Sequence, residues 1–280
     1  MDRKVTRQVT GFATIDGAGV HLIRVLGNST VEEYDPFLML DSFDSTRPED
    51  YTAGFPMHPH RGIETISYVH QGKMEHRDSL GFDDTVTDGE VQYMTAGSGI
   101  LHEERVPAAK RLCGLQLWLN LPAKDKMAQP EYTAIKRADI PEIGFPGGKL
   151  RLLMGNYKEW KGTQSRYLPL DYYAIQLEKG ASLTLDTEEE RSCMLFTLEG
   201  SVQVGETTVA PKTAAKLSRG SSVTLTAEQG PAIVMFMSSK ALQEPVSWGG
   251  PIVMNTRKEL EQAFQELQEG TFLKAEMKHQ

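Results

Sequence analysis

The chain has 280 residues and a formal net charge of -8 at pH 7, with 30 Lys and Arg against 38 Asp and Glu. This length allows two domains of ordinary size or one large β structure, with a full hydrophobic core in either case. The acidic balance argues against a general binder of the nucleic-acid backbone, which normally presents a basic face, so no direct nucleic-acid partner is expected.

The two cysteines, Cys113 and Cys193, lie far apart in apolar segments and provide neither a disulfide framework nor a zinc-knuckle spacing. We expect both to be buried free thiols. Residues 1–27 mix charged and apolar side chains and never form a signal peptide, and nowhere does the chain reach the apolar stretch of about 18 residues that a membrane-spanning helix needs. The sequence therefore predicts a soluble, cytoplasmic protein without a membrane partner.

Most of the chain consists of short apolar segments rich in Val, Ile, Leu, Thr and Tyr, separated by Gly, Asp and Pro. This spacing predicts an all-β fold made of sandwiches or barrels. The segments include, in chain order, VHLIRVLG, FLMLDSF, ETISYVHQG, VQYMTAG, CGLQLWLNLP, KLRLLMG, YYAIQLEKG, CMLFTLEGSVQVG, SSVTLTA and AIVMFMS.

Residues 122–148 are rich in Pro, Lys, Glu and Gly and lack strand alternation over much of their length, which predicts a linker. The linker separates two β-rich halves, which we predict as domains at residues 1–130 and 131–280. Each half contains a strand, a glycine turn at Gly72 or Gly200, and a second strand. This recurrence is consistent with a duplicated domain.

The end of the chain carries the strongest helix signal. Thr256 and Glu259 form a capping box, because the side chain of each can bind the backbone N–H of the other. Apolar residues follow at helical spacing, namely Leu260, Ala263, Phe264 and Leu267. The pattern predicts one amphipathic C-terminal helix.

The stretch FPMHPHRGIETI, residues 55–66, has the pattern of an apolar strand that carries His58 and His60. Residues two apart project from the same face of a strand, so these imidazoles can chelate one ion. Glu64 follows farther along the same predicted face. It is therefore an alternative ligand, or a carboxylate that supports the ligands from behind.

A second histidine motif, in DGEVQYMTAGSGILHEERVP, places His102 and Glu104 on one strand face after a glycine-rich turn. If this strand pairs with the first one in a small barrel, both motifs point inward. Three neutral imidazoles and one carboxylate suit a divalent first-row metal in an octahedral shell that keeps positions open for substrate or water.

The remaining candidates are assigned less specific roles. His70 and His76 flank the next turn and are expected to be solvated. Arg61 could orient an acidic group at the mouth of the site, although solvent-exposed turns are the commoner place for arginine. Trp118 is expected in the core. His279 is the only histidine after the second motif, so the second half is not expected to build a comparable site.

Three strings carry a family resemblance: HPHRGIET at residues 58–65, MTAGSGILHEE at residues 94–104 and GPIVMNT at residues 250–256. Over nearly its whole length the chain resembles the pirin family of the cupin superfamily. The resemblance implies a bicupin, with two double-stranded β-helix barrels and a closing C-terminal α-helix. It also implies one mononuclear metal in the N-terminal barrel.

The metal ligands that the resemblance implies fall on the four residues that spacing also selects, namely His58, His60, His102 and Glu104. In the general cupin pattern, however, Glu64 occupies the position of the usual carboxylate ligand. We favour Glu104 as the bound carboxylate, with Glu64 behind the ligands or outside the site.

The resemblance further implies a quercetin 2,3-dioxygenase-like oxidoreductase, which cleaves a small aromatic polyhydroxyl substrate with O₂. Glu104 is the expected base if it can detach from the metal or shift, and Glu64 is the second candidate. Iron(II) is the first expectation for the metal, with manganese, nickel, cobalt, copper and zinc as alternatives. The alternative function is a metal-binding, redox-sensing co-regulator that binds a protein partner without turnover.

Overall fold

The computed structural model describes residues 1–275, so His279 lies outside the described residues. The described part of the chain is mostly strands, as the sequence predicts. It contains two α-helices, α1 (Val31–Tyr34) and α2 (Arg257–Glu269). Neither is long and apolar enough to cross a membrane.

The strands are short and follow one another along the whole described chain. They are β1 Val5–Thr10, β2 Phe12–Asp16, β3 Val20–Leu26, β4 Phe37–Ser45, β5 Phe55–His60, β6 Ile63–Gln71, β7 Lys73–Asp78, β8 Asp83–Thr87, β9 Glu90–Thr95, β10 Ile100–Arg105, β11 Leu112–Asn120, β12 Glu131–Ile135, β13 Glu142–Phe145, β14 Gly148–Met154, β15 Asn156–Tyr157, β16 Trp160–Lys161, β17 Leu170–Leu177, β18 Ser182–Asp186, β19 Ser192–Glu199, β20 Val202–Val204, β21 Thr207–Val209, β22 Thr213–Leu217, β23 Ser222–Thr226, β24 Ala232–Ser239, β25 Ser247–Gly249 and β26 Ile252–Met254.

The chain forms two compact units. The N-terminal barrel unit comprises Ala13–Val31, Phe37–Lys136 and the described part of Leu242–Gln280. The C-terminal barrel unit comprises Met1–Phe12, Glu32–Pro36 and Arg137–Ala241. The predicted domain boundary between residues 130 and 131 stays a prediction. The compact units do not follow it at the two ends of the chain, because Met1–Phe12 belongs to the C-terminal barrel unit and the segment that begins at Leu242 belongs to the N-terminal barrel unit.

Each unit contains one seven-stranded and one four-stranded sheet. In the N-terminal barrel unit the orders are β12-β9-β6-β11-β4-β3-β2 and β5-β10-β7-β8. In the C-terminal barrel unit they are β1-β22-β19-β24-β17-β14-β13 and β18-β23-β20-β21. The four-stranded sheets match position by position, and so do the last six strands of the seven-stranded sheets, as expected of a duplicated barrel. The first strand differs, because β12 follows the other strands of its barrel in the chain whereas β1 precedes those of the second barrel. The fold is the bicupin that the sequence predicts.

The predicted linker is only partly irregular, because β12 and β13 lie within it, and for these two strands the prediction is wrong. β12 pairs with β9 and extends the seven-stranded sheet, with Tyr132 opposite Met94. Tyr132 and Ile135 are buried, whereas Glu131 is exposed. The strand was missed because its two large apolar residues stand among proline, lysine and glutamate residues that dominate the local composition.

The C-terminal helix forms where the capping box predicts. Thr256 Oγ1 accepts a hydrogen bond from the backbone N–H of Glu259, and the Glu259 carboxylate accepts one from the backbone N–H of Thr256. Within the N-terminal barrel unit, Ala263 packs in one apolar cluster with Ile252 and Phe272. This contact explains why the end of the chain belongs to the unit formed mainly by earlier residues.

A buried lysine links the same C-terminal segment to the turn after β5. Lys126 is 2% exposed, and its Nζ donates to Gly62 O at 2.7 Å, to Val253 O at 2.9 Å and to Asn120 Oδ1 at 2.5 Å. The three N–H groups of an ammonium thus find three acceptors. The lysine thus supplies donors to two backbone carbonyl groups and one side-chain carbonyl group inside the unit.

We expect Lys126→Met to lower the free energy of unfolding by about 3 kcal/mol, because it leaves buried acceptors unpaired. Urea unfolding measures this loss. Lys124→Met is the matched control, since the Lys124 side chain is 84% exposed and belongs to the same short 3₁₀ turn. Equal stability of the two variants would contradict the role given to Lys126.

Candidate metal centre

The two histidine motifs meet because β5 and β10 are antiparallel neighbours. His58 lies directly opposite His102 in the register. His58 and His60 project from the same face of β5, as predicted, with their Nε2 atoms 3.0 Å apart. One nitrogen from each of these three imidazoles lies within 4.8 Å of the others. The strand pairing that the sequence could only assume is therefore confirmed.

Hydrogen bonds on the far side of the two β5 rings determine where the protons lie. His58 Nδ1 is 2.8 Å from Pro56 O, and His60 Nδ1 is 3.0 Å from Pro251 O. A carbonyl oxygen only accepts, so each Nδ1 must donate, and in the neutral ring each Nε2 then carries a lone pair. Two lone pairs that face each other at 3.0 Å repel unless a cation lies between them.

The third ring is placed by a different neighbour. His102 Nδ1 is 3.4 Å from His76 Nδ1. His102 is 1% exposed, and among the described residues its Nε2 has no hydrogen-bond partner. A buried imidazole nitrogen without a partner is costly in a purely structural role. A bound metal ion would satisfy it.

Burial keeps the two inner imidazole rings, those of His60 and His102, neutral. Loss of solvation, reinforced by the charge of His58, lowers the pKa of His60 to about 3. Loss of solvation also lowers the pKa of His102 well below its ordinary value, with smaller contributions from the neighbouring imidazoles. Neutral imidazole is the form that binds a metal. These residues therefore fit a single divalent metal ion, whose identity they leave open.

Glu104 lies beside this cluster but is not one of the three mutually close ligands. It is 3% exposed, and Gln116 Nε2 donates to its Oε2 at 3.0 Å and to its Oε1 at 3.3 Å. Burial raises the pKa of this carboxyl, against the opposing effects of nearby imidazoles and of hydrogen bonds from Gln116 and Ser67. Its role as the fourth ligand stays a prediction.

Trp118 is buried, as predicted, and it orients the amide beside Glu104. Its Nε1 donates to Gln116 Oε1 at 3.2 Å, which turns the Gln116 amino group towards the carboxylate. The indole also meets His60 edge-on, with the ring centroids 5.0 Å apart. One core side chain thus contacts His60 directly and acts on the Glu104 carboxylate through Gln116.

Glu64 does not share a strand with the histidine pair, because β5 ends at His60 and β6 begins at Ile63. The assumption that one strand runs through residues 55–66 is wrong. Gly62 breaks it with φ +78°, where a Cβ atom would lie 2.0 Å from Val253 O. Glu64 is fully buried, and Oε1 accepts hydrogen bonds from the side chains of Tyr93 and Thr95. Its supporting role stays a prediction.

Two residues that the sequence placed in solvent are buried. His76 is 2% exposed and contacts His102, so the expectation of a solvated ring is wrong. Arg61 is also 2% exposed, and its Nη1 pairs with Glu266 at 2.8 Å. The signal for His76 was its spacing with Asp78, which repeats the two-residue spacing of both predicted motifs.

A cavity of about 510 Å³ opens beside the cluster. His58, His60 and Glu104 lie on its wall, and the rings of Trp118 and Trp248 contribute aromatic surface. A volume of this size suits a small-molecule ligand.

The cavity also has a charged wall. Arg24 forms a two-pronged pair with Asp41, at 2.9 Å from Nε and 2.7 Å from Nη2, and also binds Asp16. Among the described residues Arg24 Nη1 has no hydrogen-bond partner, so its N–H groups remain available to a ligand. Aromatic surface and fixed polar groups therefore line one cavity.

The strands at equivalent positions of the C-terminal barrel unit carry apolar side chains instead. β18 occupies the place of β5, and β23 the place of β10. Leu183, Leu185, Val223 and Leu225 from these strands lie in the apolar core. Leucine and valine side chains offer no metal ligand.

Fold and site together describe a cupin-type bicupin with a three-histidine candidate metal centre. The Pirin model matches residues 19–119, and the model of the pirin C-terminal cupin domain matches residues 172–273. A Pseudomonas aeruginosa protein named "Putative quercetin 2,3-dioxygenase" is 41% identical over 96% of this chain and 97% of its own length. Human pirin is 33% identical over 94% of this chain and 91% of its own length.

Solved structures agree with this assignment. The crystal structure of a quercetin 2,3-dioxygenase from Acinetobacter baumannii has a TM-score of 0.89 and 33% sequence identity to this chain. The match covers 97% of this chain and 99% of that one. The chain therefore belongs to the pirin family.

We expect acid to destabilise the metal-free protein as the pH falls from about 6.5 towards 3. The pKa of His60 is about 3 in the folded state against an ordinary 6.5, so in this window the unfolded state binds more protons and acid favours unfolding. Each fully buried histidine adds a slope of up to about 1.4 kcal/mol per pH unit. Urea unfolding after chelation, repeated across this pH range, measures the slope.

The control for this prediction is the double variant His60→Gln/His102→Gln, which lacks both low-pKa imidazoles. Its stability should depend less steeply on pH over the same window. An equally steep dependence would show that other groups cause the acid sensitivity.

Proposed function

We propose that this protein is a metal-dependent dioxygenase of the pirin type, which cleaves flavonols such as quercetin with O₂. The main support is one arrangement: three imidazole lone pairs converge beside a cavity that also holds a buried carboxyl group. The relative at 41% identity is named a putative quercetin 2,3-dioxygenase, and the solved structure at 33% identity is named a quercetin 2,3-dioxygenase. In this proposal the protein acts in the cytoplasm.

In this proposal His58, His60 and His102 hold the metal, Glu104 is the fourth ligand, and Glu64 supports the site from behind. Iron(II) is favoured, with manganese, nickel, cobalt, copper or zinc as alternatives. When bound, the ion supplies a Lewis acid and a template for the reactants. The chain's own residues perform the remaining tasks.

Glu104 is the proposed base for the flavonol 3-hydroxyl group. This task requires that the carboxylate detach from the ion or shift, because a bound cation weakens a carboxylate as a base. Gln116, itself oriented by Trp118, aims two weak hydrogen bonds at the carboxylate and holds it at the cavity wall. Glu64 is the second candidate for the base.

The cavity walls fit a flat, hydroxylated aromatic substrate. Trp118 and Trp248 have ring centroids 5.7 Å apart and provide apolar surface for the substrate rings. Arg24 and Asp41 offer a donor and acceptors for phenolic hydroxyl groups. Closely packed side chains around the inner imidazoles exclude bulk water from the reacting end.

The test is to load the purified protein with each metal, beginning with iron(II), and to follow quercetin absorbance together with carbon monoxide release. We expect His102→Ala to abolish both signals, because it removes a ligand. Glu104→Gln should lower kcat by at least about 100-fold. Measuring the metal content of Glu104→Gln separates loss of the base from loss of the ion.

Turnover by His102→Ala equal to that of the unchanged protein would refute the proposed site. Absence of turnover with every metal, despite tight metal binding, would instead favour the metal-binding co-regulator with a protein partner.

We expect Arg24→Gln to raise KM for quercetin by about 10-fold with a smaller change in kcat, because Arg24 contacts substrate away from the reacting ring. Steady-state kinetics measure the split. Arg111→Gln is the matched control, since Arg111 forms the same two-pronged pair with Asp44 in this unit but does not line the cavity. Equal KM values for both variants would contradict substrate contact by Arg24.

A further inference from the structure

A buried histidine and aspartate on β7 lie directly behind the candidate metal centre. In the register of β7 and β10, Asp78 is opposite His102 and His76 is opposite Glu104. Asp78 is 4% exposed and His76 is 2% exposed. The proposed function assigns neither residue a task. A buried polar pair facing a ligand needs a physical explanation.

Asp78 is held as a hydrogen-bond acceptor on both oxygens. Its Oδ1 accepts from the backbone N–H groups of Leu80 at 2.8 Å and Phe82 at 3.1 Å. Its Oδ2 is 2.8 Å from His76 Nε2. A carboxylate can only accept hydrogen bonds, so the N–H of this contact belongs to His76. The hydrogen on the His76 ring therefore lies on Nε2.

The hydrogen on His76 Nε2 determines which nitrogen of His102 carries a hydrogen. A neutral His76 ring with hydrogen on Nε2 has its lone pair on Nδ1, which is 3.4 Å from His102 Nδ1. His102 must then donate from Nδ1, which leaves the lone pair on its buried, unpartnered Nε2. The chain of hydrogen bonds from Asp78 thus ends at the atom that faces the other two imidazoles.

The His76 ring is also held in one plane. It stacks on Tyr132 with a centroid distance of 3.9 Å and an interplanar angle of 7°. Tyr132 is 7% exposed and belongs to β12, the strand that was predicted as linker. A stacked, buried ring has little freedom to turn, so its Nδ1 stays aimed at His102.

We propose that Asp78 and His76 are positioning residues for the metal ligand His102. They hold its proton on Nδ1, turn its Nε2 towards the ion and increase the electron density on that nitrogen. This role rests on the metal-binding part of the proposed function and is independent of dioxygenase activity. It requires only that a divalent ion binds.

The first variant is His76→Phe, which preserves the stacking ring but removes both nitrogens. Cobalt(II) alone is the probe, because its visible spectrum reports the ligand field and a competing chelator gives its affinity. We expect one cobalt(II) per chain, bound about 10–100-fold more weakly than by the unchanged protein, with an altered spectrum. His70→Phe is the matched control, since His70 is half-buried in the same unit and contacts Tyr68.

The second variant, Asp78→Asn, has nearly the same shape and keeps an acceptor for the two backbone donors. Its amide nitrogen would replace Oδ2 and donate to His76 Nε2, so the His76 hydrogen would move to Nδ1. The lone pair of His102 would then be needed on Nδ1 rather than Nε2. We therefore expect weaker cobalt(II) binding here as well, by at least about 10-fold.

Wild-type cobalt(II) affinity and spectrum in Asp78→Asn would overturn the proposal, as would the same result in a folded His76→Phe. Melting of the metal-free variants separates a binding defect from loss of folding. Failure of the unchanged protein to bind cobalt(II) would refute the metal centre itself. Binding without quercetin cleavage would refute only the dioxygenase activity.

Discussion

The candidate metal centre depends on hydrogen bonds made behind its imidazoles rather than on contacts between them. Two rings donate backwards to the carbonyl groups of Pro56 and Pro251, and the third meets the Nδ1 atom of His76. Each of these contacts leaves a lone pair on the inward Nε2. Neutral rings with inward lone pairs are in the state that metal binding requires, and burial keeps the two inner rings neutral.

These hydrogen bonds link the site to the end of the chain. Pro251 precedes β26, and the neighbouring Trp248 lines the cavity. Arg61, directly after the histidine pair, binds Ser98 O and Phe272 O and lies 4.1 Å from the Phe272 ring. Segments far apart in sequence therefore set the position of adjacent ligands. Displacing the C-terminal segment would therefore remove the hydrogen bond that orients the His60 ring.

The parts of the site that could be predicted are those with local periodicity. His58 and His60 share a strand face whatever the rest of the fold does, and the capping box at Thr256 requires only four consecutive residues. His76 could not be placed in this way, because its exposure depends on which strands cover it. The same applies to β12, whose burial comes from pairing with β9.

By itself the sequence determined the strand content, the two histidine motifs, the C-terminal helix and the family, because each follows from residue spacing or from strings of adjacent residues. Only the tertiary structure decided that β5 pairs with β10 and that β7 lies on the other side of β10. It also decided that Pro251 reaches His60. Register and long-range hydrogen bonds depend on how strands assemble, and no local pattern specifies them.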